Sequence, residues 1–78
     1  MRILIIGSGG REHALAWRLS ESSSVQATFV LPGNAGIDLD PNIKRLRTTK
    51  KITNELVLEA IQANNVDLTI IGPEAFLV

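Results

Sequence analysis

Ile3-Leu4-Ile5-Ile6-Gly7-Ser8-Gly9-Gly10-Arg11-Glu12-His13-Ala14 is the stretch on which the fold turns. Ile3 to Ile6 is an unbroken β-branched and leucine run, which reads as a strand buried on both faces and therefore as part of a parallel sheet. Gly7-Ser8-Gly9-Gly10 follows at once, a turn that uses backbone freedom. From Arg11 the period changes. Ala14, Leu15 and Leu19 fall at helical spacing and predict an apolar stripe. The helix should end in the solvated turn Glu21-Ser22-Ser23-Ser24.

Outward from this unit, Val25 to Leu31 predicts a second strand, rich in Val, Thr and Phe. Pro32-Gly33-Asn34-Ala35-Gly36 closes it with turn chemistry. Asp38, Asp40, Pro41 and Asn42 read as loop, and Ile43 to Thr48 as a short edge strand whose charges blunt an exposed edge. Thr53 or Asn54 can cap a helix with the face Leu56, Val57, Ala60 and Ile61. Asn64-Asn65 ends it, because Asn tolerates the left-handed conformation. Leu68 to Ile71 is another buried strand, stopped by Gly72-Pro73. The order is half of a doubly wound α/β sheet, a Rossmann-like parallel arrangement. Residues 7–10, 32–36 and 72–74 each follow a different strand. A parallel sheet brings all three to its carboxyl edge, where ligands bind in such folds.

The composition narrows the class. The chain has 78 residues, 8 Lys+Arg against 8 Asp+Glu, zero formal net charge and no cysteine. One domain over residues 1–78 is the expectation, with a thin core. A disulfide-framed mini-protein and a Cys-based zinc site are excluded. Zero net charge argues against a general nucleic-acid binder, whose affinity comes from phosphate neutralisation. At 45% hydrophobic and 21% charged, the composition is globular. No apolar run approaches the roughly 20 residues of a membrane span, and the apolar start is broken by Gly7, Arg11 and Glu12, so no leader is expected. A cytoplasmic protein follows as the expectation. The apolar end Ala75-Phe76-Leu77-Val78 reads as the opening of another element, so the chain is expected to be a piece of something larger.

The glycine loop between strand and helix is the leading chemical signal. Glycines let the backbone approach an anion, and first-turn amides point at it, helped by the helix dipole. The dinucleotide pattern G-x-G-x-x-G/A is met at Gly7 and Gly9, but its third position is Glu12. The carboxylate that takes a ribose 2′-hydroxyl is missing after Val30-Leu31-Pro32-Gly33. No Lys-Ser/Thr follows the glycines, so the P-loop pattern fails too. The site suits a monophosphate. Arg11 can hold a phosphate through two hydrogen bonds or stand as a solvated first-turn residue. Glu12 suits the helix dipole and reads as structural. His13, the single histidine, reads as a packing or hydrogen-bonding residue, and Trp17 as a packing one. Asn34 offers donor and acceptor to a polar ligand, or holds its own loop. Glu74 can accept from two neighbouring ribose hydroxyls, or can act near the start of a following helix. Lys44, Arg45, Arg47, Lys50 and Lys51 form a basic run that reads as solvated surface.

Three segments then act together: Gly7-Ser8-Gly9-Gly10-Arg11-Glu12-His13-Ala14, Pro32-Gly33-Asn34-Ala35-Gly36 and Asp67-Leu68-Thr69-Ile70-Ile71-Gly72-Pro73-Glu74-Ala75. In order and spacing they closely resemble the N-terminal domain of the phosphoribosylamine–glycine ligase (glycinamide ribonucleotide synthetase) family, over essentially the whole chain. The resemblance implies a pre-ATP-grasp domain, Rossmann-like, cut from a multidomain ATP-grasp ligase of purine biosynthesis. That enzyme activates glycine with ATP as an acyl phosphate, and the amine of 5-phosphoribosylamine attacks to give glycinamide ribonucleotide, ADP and phosphate. ATP and Mg2+ (or Mn2+) belong to later domains, which would be this segment's partners in the parent ligase. No cofactor, nucleic acid or membrane is implied for the segment itself. What carries over is phosphoribosylamine binding by Gly9, Gly10, Arg11, Asn34 and Glu74, with no catalytic residue and no activity for the segment alone. One departure is Phe76, where the family usually has Pro after Glu-Ala. The readings from other classes are a dinucleotide-binding module of an oxidoreductase and a non-catalytic interaction fragment.

Overall fold

The computed structural model describes residues 1–48 and 51–72. Strand β1 (Arg2–Gly7) leads into helix α1 (Gly10–Ser20), then β2 (Ala27–Pro32), a 3-10 helix (Ala35–Leu39), β3 (Ile43–Arg45), helix α2 (Asn54–Asn64) and β4 (Leu68–Ile71). The strands form one parallel sheet in the order β3-β2-β1-β4. The chain therefore moves from β1 through β2 to β3 in one direction, then returns to the opposite side of β1. That reversal is the topological switch point of a doubly wound sheet, and it lies at the carboxyl end of β1.

β1 is central because its residues are apolar on both faces. Ile3 and Ile5 pack with Val30, Ile37, Ile43 and Ala16 on the α1 side. Leu4 and Ile6 pack with Phe29, Leu31 and Val57 on the α2 side. Alternation along one strand thus feeds two cores, with a helix on each. The amino end of β1 is fastened separately. Arg2 Nε donates to Asn64 O at 2.7 Å, at the C-terminal turn of α2. Its backbone amide donates to Asp67 Oδ2 at 2.8 Å. A cation on the last carbonyls of a helix suits the negative end of its dipole.

Helix α2 follows expectation. Thr53 is its cap, accepting from Leu56 N at 3.2 Å. Val57 faces the core, and Asn65 closes the helix in the left-handed conformation at φ 52. Helix α1 differs. Its buried residues are Glu12 and Ala16, with Leu19 packed against the core, while Ala14 and Leu15 are exposed. The spacing i, i+4, i+7 is still helical, but the face turned to the sheet is shifted from the predicted stripe because it includes a charged residue.

Residues 35–39, read as loop, form the 3-10 helix instead. Ile37 anchors it, fully buried in the α1-side core. A lone apolar residue in a polar stretch gives no periodicity to detect. The predicted edge strand is present but contracts to Ile43–Arg45. The basic run is not uniformly solvated either. Arg45 and Arg47 both pair with Asp38, at 3.0 and 2.6 Å.

Candidate functional site

The carboxyl edge of the sheet gathers the 7–10 loop, the 32–36 loop and Gly72. Their backbones are joined directly. Gly33 N donates to Gly7 O at 3.0 Å, and Gly72 N donates to Ile6 O at 2.7 Å. The convergence expected from a parallel sheet is met for these residues. Glu74, the remaining predicted site residue, lies outside the described residues.

Helix α1 begins at Gly10 with Gly9 as its cap residue. His13 N is the first of its amides to reach a carbonyl, Gly9 O at 3.2 Å. The amides of Gly10, Arg11 and Glu12 precede that ladder, at the positive end of the dipole. Among the described residues, a methyl group added at Gly10 would meet nothing within 4 Å, so open space lies against this backbone. Arg11 is exposed and borders a cleft of about 90 Å3 between α1 and β4, with Leu15 and Ile70 among its walls.

Glu12 turns inward. It is 3% exposed. Its Oε2 accepts from Gly9 N at 3.2 Å, the carboxylate half of a capping box. The same side chain lies so close to Gly7 that a Cβ there would sit 2.7 Å from Glu12 Cδ. At Gly72 a Cβ would sit 3.0 Å from that carbon and 2.8 Å from Ile6 O. Glu12 is therefore walled by two glycines from two loops. The third position of the dinucleotide pattern is filled by this carboxylate, and the small residues that accommodate it stand elsewhere.

Asn34 joins the two glycine-bearing loops. Its Nδ2 donates to Ser8 O at 2.8 Å and its Oδ1 accepts from Gly36 N at 3.0 Å. An amide offers two donors and two acceptor lone pairs, so each end is half used. His13, half-buried, brings its ring against Gly36 at 3.8 Å from a Cβ placed there. This agrees with the packing or hydrogen-bonding role expected for it, whereas Trp17, read as packing, is half exposed.

Arg45 holds the 32–36 loop from beneath. Its Nε donates to Pro32 O at 2.9 Å, and its Nη1 reaches Asp38. Gly33 sits at φ 68, and a Cβ there would come within 3.0 Å of Arg45 Cγ. The hydrogen bond from Arg47 holds the Asp38 carboxyl below its ordinary 3.8, against some desolvation, and the bond from Arg45 adds to it. Reading Arg45 as surface missed this role. The available signal was its two-residue spacing from Ile43, which puts both on one face of β3.

Comparison with known proteins now decides the family. The model of the phosphoribosylglycinamide synthetase N domain matches residues 1–78. The chain belongs to that family. Among relatives named phosphoribosylamine–glycine ligase, the protein from Pasteurella multocida is 50% identical over 78 residues, covering 100% of this chain and 18% of its own length. That from Escherichia coli K12 is 47% identical over 79 residues, again 100% and 18%. That from Neisseria meningitidis serogroup A is 43% identical over 75 residues, 96% and 17%. This synthetase N domain thus spans less than a fifth of the relatives it matches. Its Gly9 and Gly10 follow β1 at the switch point, with Arg11 exposed on the same helical turn, and Asn34, from the loop after β2, is tied to them through Ser8 O.

Proposed function

We propose that this chain serves as the phosphoribosylamine-binding part of an ATP-dependent ligase that joins 5-phosphoribosylamine to glycine. The observation that carries the reading is the open backbone at Gly10, ahead of the α1 ladder and at the switch point. The phosphate of the substrate would sit against the amides of Gly10 and Arg11, with the Arg11 guanidinium as a second contact. Asn34, with one donor and one lone pair unspent, would meet the ribose. Glu74 would take ribose hydroxyls.

ATP and Mg2+ do not fit the described residues. No three His, Asp or Glu side chains gather there to hold a metal. The glycine loop lacks the Lys-Ser/Thr of a P-loop. Those groups are assigned to the remainder of the ligase, and this chain's part is to bind and orient the amine substrate. By itself it carries no activity.

The test is a pair of titrations, with ribose 5-phosphate and with NAD, followed through the amide signals of residues 7–12 and 33–36. Ribose 5-phosphate should shift both loops. Tight NAD binding would replace this reading with a dinucleotide module. In the complete ligase, Gly10→Val should raise KM for phosphoribosylamine and leave KM for ATP unchanged. An unchanged amine-substrate KM would remove the glycine loop as the phosphate site.

A further inference from the structure

We propose that Glu12 is a positioning residue, whose buried carboxylate fixes the distance between the glycine loop and the end of β4 and so aims the first-turn amides of α1. The inference rests on the phosphate reading above and adds a residue to it. Three observations carry it. The side chain is almost completely buried at the carboxyl edge, where a solvated first-turn acid would point outward. It accepts from Gly9 N, the amide immediately before the open Gly10 backbone. It fills the space between Gly7 and Gly72, which come from strands on either side of the switch point's turn.

The consequence is mechanical. By accepting from Gly9, the carboxylate takes the N-cap amide out of competition and fixes the peptide that precedes Gly10. The amides of Gly10 and Arg11 are then the ones left facing outward for an anion. By packing against Gly72, it ties the glycine loop to the residue that follows β4. Glu12 touches neither substrate nor reacting atoms in this scheme. Its effect passes through Gly9, Gly10 and Gly72.

The experiment is steady-state kinetics on the complete ligase with Glu12→Leu, Glu12→Gln and Glu12→Asp, each beside Gly10→Ala and each with its melting temperature. Leu keeps the bulk and loses the acceptor. It should raise KM for phosphoribosylamine about tenfold, with KM for ATP and for glycine unchanged. Gln retains an acceptor for Gly9 and should restore KM to within about twofold. Asp keeps the charge but withdraws it by one methylene, and should fall between them. A lowered melting temperature with unchanged KM in the Leu variant makes Glu12 merely structural and overturns the proposal. Should the Leu variant not fold, a normal KM in the Asp variant overturns it equally. If Gly10→Ala raises KM and the Glu12 variants do not, only the positioning role falls. If none of them moves KM, the phosphate reading falls and takes this one with it.

Discussion

At the scale of single residues, the glycines of the first loop separate into two kinds. Gly7 is small because Glu12 occupies the space beside it, whereas Gly10 borders space that no described residue fills. The two should respond oppositely to the same change. Gly7→Ala forces a methyl into the Glu12 side chain and should destabilise the fold by about 1–3 kcal/mol, the usual cost of overpacking. Gly10→Ala sits in the first turn of α1 without a clash. It should be neutral or stabilise by up to about 1 kcal/mol, since Ala loses less backbone entropy. Denaturant midpoints of the two variants check this, and equal destabilisation would contradict the assignment. The contrast matters for function. A substitution at Gly10 that leaves stability intact while impairing phosphate binding isolates the site from the fold.

At the scale of elements, the loop after β2 is held by charge. Asp38 in the 3-10 helix receives Arg47 and Arg45, and Arg45 continues to the Pro32 carbonyl. Asp38 is held below 3.8, first by the bond from Arg47. A carboxylate depressed in the folded state stabilises it above the unfolded value. That contribution disappears as pH falls through the lower folded value. Asp38→Asn should therefore be less stable than the parent at neutral pH, and the gap should close well below pH 3.8. A gap that stays constant in thermal melts across that range would show that the charge is not involved. This loop also marks where sequence reading stops. β1, α2, the position of β4 and the parallel order of elements were legible from apolar runs and caps, but β4, read as a buried strand, is half-buried to exposed because it lies at the sheet edge. The meeting of the loops at the carboxyl edge was legible where glycines interrupt such runs. Ile37, the burial of Glu12, whose structural role was legible, and Arg45 were not. Each concerns a single residue whose placement depends on a partner distant in sequence, Val30, Gly72 or Pro32, and no local pattern records that pairing.

At the scale of the whole molecule, burial falls away from β1 toward the sheet edges. β1 is flanked by β2 and β4 and is buried along nearly its full length, while β4 exposes Leu68 at 44% and Ile71 at 55%. Helix α2 contributes one buried residue, Val57, and α1 contributes Glu12 and Ala16. Stability should therefore be graded, with local opening easiest where few buried apolar contacts must break. Amide hydrogen exchange should show Leu4 to Ile6 and Phe29 to Leu31 as the slowest group, exchanging only on global unfolding. The amides of β4 and of the last turn of α2 should exchange faster, through partial opening. Protection in β4 equal to that in β1 would show instead that the sheet opens as one unit. The gradient bears on the proposed site. Its glycine loop and the 32–36 loop spring from the two most buried strands, so both keep their geometry when β4 opens. Gly72 follows the less protected strand. The bond from Gly72 to Ile6 and the packing of Glu12 on Gly72 are then what hold the third corner of the site to the rigid part of the fold. Weakening that corner should speed exchange in β4 before it affects β1. Comparing exchange in Glu12→Leu with the parent chain measures this directly, and uniform acceleration across all strands would show that Glu12 supports the core as a whole rather than the corner.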